Sequence, residues 1–110
     1  MKHELTLVLK SADRVYETLE ALRADGFNAT VTSSESLRHA LDYTPEDHHF
    51  FGLRHLQEAQ RLESVLCIFV VDSERLEKLK EVIRLHTGNF NDVHGFMYSH
   101  PIDDFEGSIR

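Results

Sequence analysis

The segment that most restricts how this chain can fold is residues 64–71, Ser-Val-Leu-Cys-Ile-Phe-Val-Val, an almost unbroken apolar run. Its length and β-branched content predict a strand. Alternation puts Val65, Cys67, Phe69 and Val71 on one face and Leu66, Ile68 and Val70 on the other. A strand that is apolar on both faces must be covered on both. At ~25 cal/mol per Å2 of apolar surface, leaving one set in water costs several kcal/mol, comparable with the stability of a small domain.

The rest of the chain supplies one cover. Residues 5–9, Leu-Thr-Leu-Val-Leu, predict a first strand. Ser11 or Asp13 then caps a helix of about twelve residues, with Val15, Leu19 and Leu22 on one stripe and Gly26 at its close. Residues 27–32 alternate, with Phe27, Ala29 and Val31 on one face, as in a polar edge strand. After the apolar run, Asp72 and Ser73 open a second helix whose Leu76, Leu79, Val82 and Ile83 share a face as far as Thr87-Gly88. Residues 93–99 predict a last strand, ended by Pro101. With 110 residues there is room for one core, so residues 1–110 form a single domain with a polar, loosely held tail over 103–110. The order predicts an α+β, ferredoxin-like βαββαβ sandwich: a four-stranded antiparallel sheet with both helices on one face and the first and third strands central. Those are also the two most apolar strands.

Between strands two and three lies an insert, residues 34–63, too long for an ordinary connection. Thr44-Pro45-Glu46-Asp47 combines a capping hydroxyl, proline at the first helical position and first-turn acids, predicting a helix to about residue 62. Ser34 is placed to cap another short helix through Leu41. The longer helix offers only a narrow apolar stripe of Leu53, Leu56, Ala59 and Leu62. Either this helix folds under the second sheet face or subunits pack sheet to sheet, and the narrowness of the stripe favours the subunits.

Charge and motif content narrow the function. Twelve Lys and Arg against 19 Asp and Glu give a formal charge of −7, which repels nucleic acid and anionic lipid. No stretch approaches the ~18–20 apolar residues of a membrane span, and no secretory leader pattern opens the chain, so a cytoplasmic protein is expected. The single cysteine, Cys67, excludes an intrachain disulfide and reads as a small core residue. Gly-x-Ser-x-Gly, P-loop and CxxC patterns are missing, so no enzyme is expected. His94 with Asp92 or Tyr98 is the one base that a catalytic reading would use. Of the eight histidines, His48, His49 and His55 are the densest cluster and the candidate metal ligands, although no pair has helical i, i+4 spacing. His94, Phe96, Tyr98 and His100 alternate onto one face of the last strand, as packing or as an aromatic ligand wall. His3, His39 and His86 have no partner visible in the sequence.

The stretch from Val70-Val71-Asp72-Ser73 through Thr87-Gly88-Asn89-Phe90-Asn91-Asp92-Val93-His94-Gly95-Phe96 resembles the PII signalling proteins. In that family a helix ends in Thr-Gly, followed by a Gly-Asp-Gly-Lys loop and the final strand. Thr30-Val31-Thr32 is similar to the Thr-Val-Thr of the family's second strand, and the insert occupies the place of its T-loop. The resemblance implies a homotrimer that binds an adenine nucleotide or related small ligand in clefts between subunits. It also implies that the insert signals to a target protein, such as a transporter or an enzyme. Carried over by position, the ligand-binding residues are Thr30, Thr32, Thr87, Gly88, Asn91, Asp92 and His94. Where the family has Gly-Asp-Gly-Lys this chain has Asn91-Asp92-Val93-His94, without the two glycines and the lysine. That departure points to a ligand with fewer phosphates, a cyclic dinucleotide, bicarbonate or a metal. The second resemblance is to CutA-like metal-tolerance proteins, also trimers, in which the insert histidines would take a divalent cation.

Overall fold

The two apolar runs become the two central strands. The computed structural model describes residues 1–10, 12–41 and 64–109. In it β1 (Lys2–Lys10), α1 (Ala12–Ala24), β2 (Thr30–Ser34) and α2 (Leu37–Leu41) precede β3 (Ser64–Asp72), α3 (Ser73–Thr87) and β4 (Gly95–Ile102). The sheet order is β2-β3-β1-β4, every pairing antiparallel. The register sets Leu7 opposite both Cys67 and Met97, and Thr30 opposite Ile68. The described residues thus form an α+β domain with a four-stranded antiparallel sheet and two long helices. Among the described residues no helix is long and apolar enough to cross a membrane.

The pleat divides the apolar residues between two faces. Leu5, Leu7 and Leu9 of β1 and Val65, Cys67, Phe69 and Val71 of β3 are buried with Val15 and Leu22 of α1, Leu79, Val82 and Ile83 of α3, and Phe27 and Val93 from the connections. The opposite face carries Val8, Leu66, Ile68, Val70, Phe96 and Tyr98, none of them buried. Phe96 is 49% and Tyr98 56% exposed, their rings stacked with centroids 6.4 Å apart. No helix lies over this face among the described residues. The helix expected over residues 44–62 falls outside them.

Both edge strands begin and end later than the sequence suggests. Alternation places a strand at residues 27–32, but β2 starts at Thr30 because Asn28 Oδ1 accepts the Ala29 N–H at 2.9 Å, a local bond that competes with ladder pairing. Phe27 is buried all the same. Gly26, at φ 87°, turns the chain, and the Phe27 N–H returns to the Leu22 carbonyl at the end of α1. Ser34 is the last residue of β2, its hydroxyl bonded to that of Ser64, so it does not cap α2. Pro101 does not stop β4. It sits opposite His3 on a strand whose other side is free, where a missing N–H breaks no ladder bond. The strand can begin only with glycine. Gly95 has φ 152°, and a Cβ there would lie 2.0 Å from the Val8 carbonyl oxygen.

Two apolar residues of the tail lie near the body of the domain. Phe105 lies beneath the Lys2 ammonium, 5.6 Å from ring centroid to Nζ, and Ile109 lies beside Val70 at the far end of the open face. Lys2 also bonds Asp72 at 2.7 Å, which holds the Asp72 carboxyl below its usual range. The β1 start, the β3 end and the tail are thereby tied together.

Cys67 reports on the integrity of this sandwich. Burial pushes its thiol up to about 11, so the native protein should be inert to Ellman's reagent at about pH 8 and react only as denaturant unfolds it. Labelling of the native state at the rate of free cysteine would contradict the packing.

Candidate functional site

The loop from Thr87 to His94 is shaped by its own backbone. α3 ends where Gly88 enters the left-handed region at φ 62°, and its N–H and that of Asn89 both reach the Arg84 carbonyl. Asn89 and Phe90 continue in the same region at φ 56° and 67°, conformations that side-chain-bearing residues seldom adopt. Local bonds hold them there. The Phe90 N–H donates to Thr87 Oγ1 at 3.1 Å, Asn91 to the Gly88 carbonyl, and Asp92 and Val93 both to the Thr87 carbonyl. Thr87 is fully buried, its hydroxyl donating in turn to the Ile83 carbonyl at 2.7 Å.

Every backbone N–H from Gly88 to Val93 is therefore engaged within the loop. A phosphate-cradling loop works by aiming several unpaired N–H groups at the anion, and here those groups already have partners. What the loop offers a ligand is side chains: Asn91, Asp92 and His94 are exposed, on either side of the buried Val93. Thr87 and Gly88 set the shape of the loop. The Asp92 carboxylate closes over Gly88 so tightly that a Cβ there would meet Oδ2 at 2.3 Å. His94 anchors the loop to the sheet, its carbonyl accepting the Lys10 N–H at 2.7 Å.

The remaining ligand-binding candidates lie elsewhere. Thr30 and Thr32 are exposed on β2, and Thr32 Oγ1 donates to the Ser33 carbonyl at 3.3 Å. β2 and β4 are opposite edges of the sheet. Three strand spacings, about 14 Å, separate the threonines from the β4 edge into which the loop feeds. Within one chain the seven candidates fall into two separate groups, Thr30 and Thr32 on β2 and the other five in the loop before β4. His48, His49 and His55 lie outside the described residues, among which no group of three His, Cys, Asp or Glu could hold a metal.

Between the two groups, the open face carries a polar cluster that the linear sequence does not reveal. Register sets Glu4 opposite His100, whose Nε2 lies 3.4 Å from Glu4 Oε1, while Thr6 Oγ1 donates to Glu4 Oε2 at 3.0 Å. The alternation of Phe96, Tyr98 and His100 was the available signal. The acid they meet is 96 positions away and becomes a partner only once β4 pairs with β1.

No family model matches the chain, and no curated protein matches it either. Among solved structures it is similar to a functionally unknown protein from Pediococcus pentosaceus. The two share 12% identity and a TM-score of 0.60, over 98% of this chain and 99% of that one. At that identity the likeness speaks to the fold alone.

The closure of Asp92 over Gly88 yields a coupled pair of substitutions. Gly88→Ala should cost about 2–4 kcal/mol in a denaturant melt, combining left-handed strain with the clash. In an Asp92→Ala background the same change should cost only about 1 kcal/mol, the strain alone. Equal costs in both backgrounds would contradict the contact.

Proposed function

We propose that this protein is a PII-like regulatory protein of ferredoxin-like fold. It acts as a cytoplasmic homotrimer, binds a small ligand between subunits and signals to a protein partner through residues 34–63. The observation that carries the reading is the division of the candidate ligand residues between the two free edges of one sheet whose outer face is apolar. A second chain packed on that face would cover Val8, Leu66, Ile68 and Phe96. The same packing could bring the β2 edge of one subunit toward the loop before β4 of its neighbour. Either half alone offers too few groups to hold a small molecule, whereas the two together supply hydroxyls, an amide, a carboxylate and an imidazole.

The loop chemistry bears on the ligand class. With the N–H groups from Gly88 to Val93 internally bonded and Asp92 exposed beside them, a triphosphate would find few donors and one repulsive charge. A nucleotide with fewer phosphates, or a related small anion held by side chains, suits the site better. The reading assigns no turnover to the protein. Its output is a change in the insert, communicated to a regulated transporter or enzyme.

Phe96→Glu tests the link between assembly and binding. Placing a charge on the exposed apolar face at the β4 edge should yield a folded monomer by circular dichroism and light scattering. Calorimetric binding of ADP, cyclic di-AMP or bicarbonate, whichever the wild type takes, should then be lost. A monomeric variant that binds as tightly as the wild type would overturn the reading. So would a wild type that binds none of the three.

A further inference from the structure

We propose that the end of the sheet away from the insert holds a second site, complete within one chain, for a small monocarboxylate with a short apolar body. A cleft of ≈ 360 Å3 opens there between the turn that leaves α1, the end of β3 and the first turn of α3, with Ile109 of the tail closing one side. It runs into an adjoining hollow of ≈ 320 Å3 that shares Asn28, Val70 and Ile109 and adds Ile68 and Thr30. The volume of the cleft lies at the lower end of the range that small-molecule sites occupy, roughly 300–1,000 Å3.

The polar handle is Arg75. Its guanidinium lies over the Phe27 ring, 4.2 Å from the centroid, and Nη2 donates to the Asp25 carbonyl at 3.1 Å. Two contacts in different directions fix the plane of the group while using one of its five N–H donors. Among the described residues Arg75 makes no ion pair, although it belongs to a chain of net charge −7. Its charge also reaches the Asp72 carboxylate, but with no ion-pair partner at bonding distance among the described residues the held guanidinium is preorganised for a planar two-oxygen anion. Asn28 adds a donor. Its Oδ1 is occupied by the Ala29 N–H, which leaves its amide NH2 for a ligand.

The surrounding charges select a single negative charge. Two other cations lie near this end, Lys2 and the N-terminal amine, and both act on Asp72, Lys2 through a 2.7 Å bond, while the Asp72 carboxylate itself lines the cleft. A phosphate or polyphosphate would face that carboxylate with the Arg75 guanidinium as its one cation in the cleft lining, whereas a carboxylate needs no second cation. The apolar body is specified by Val70, Ile68 and Ile109, which no helix covers among the described residues. The loop from Thr87 to His94 takes no part; the cleft around Arg75 is distinct from the inter-subunit reading, and only the adjoining hollow shares Thr30 and Ile68 with it.

The test is a titration of the full chain with hexanoate, followed by two-dimensional 1H–15N NMR. Saturable shifts are expected at Gly26, Phe27, Asn28, Val70, Arg75 and Ile109. Hexan-1-ol, which has the same body without the carboxylate, should bind at least about tenfold more weakly, as expected for loss of a charged hydrogen bond. Arg75→Gln should weaken hexanoate to the same degree, and Arg75→Lys, which keeps the charge without the planar fork, by less. If Arg75→Gln fails to fold, Ile109→Ala, which leaves Phe27 and Arg75 in contact, should still reduce affinity several-fold. The proposal is overturned if hexanoate gives no saturable shift at these residues, if hexan-1-ol binds equally well, or if the well-folded variants bind as the wild type does.

Discussion

Everything in this structure depends on how β3 is satisfied. One face of the strand, Val65, Cys67, Phe69 and Val71, is sealed by α1 and α3, and those residues with β1's leucines form the core. The other face, Leu66, Ile68 and Val70, is also apolar, and β1 and β4 extend it with Val8, Phe96 and Tyr98. Only the far end has a cover within the described chain, where the tail brings Ile109 beside Val70. Exposed apolar patches of this continuity mark interaction surfaces, and the proposed assembly follows from that patch more directly than from any motif.

The two ends of the sheet then take different roles. At the end where β1 finishes and β4 starts, the loop after α3 has folded in on itself, with Gly88, Asn89 and Phe90 in the left-handed region and their N–H groups bonded locally. Such a loop is rigid and presents side chains. At the other end the turn at Gly26, the first turn of α3 and the tail leave a cleft with a fixed guanidinium. In the proposed reading the first end becomes a site only with a second chain, whereas the proposed carboxylate cleft is lined by one chain.

The central strands were legible because their apolar content exceeds what any helix or loop of that length would carry, and their position followed from the βαβ order. The edges were not. β2 begins late because a single side-chain bond from Asn28 captures the Ala29 N–H, and β4 runs through Pro101 because that residue lies on the free side of the sheet. Neither fact is visible in periodicity. The positions of two tail residues were not readable either: Phe105 lies under Lys2 and Ile109 lines the same cleft as Val70, placements that depend on the finished fold. At the candidate site the residue types and their loop were readable. That Thr87 would be fully buried and its hydroxyl internally bonded was not, since it follows from the left-handed path of Asn89 and Phe90. The same applies to Arg75, an ordinary helix residue until Phe27 is brought beneath it.

The claim on which the account turns is that the open sheet face is covered by copies of the same chain. Native mass spectrometry of the untreated protein at low micromolar concentration addresses it directly, since one spectrum gives both the subunit count and the mass of any retained ligand. The account predicts a dominant species at three times the chain mass, with nucleotide-sized or smaller adducts. A species at the mass of a single chain, unchanged as concentration rises, would contradict it.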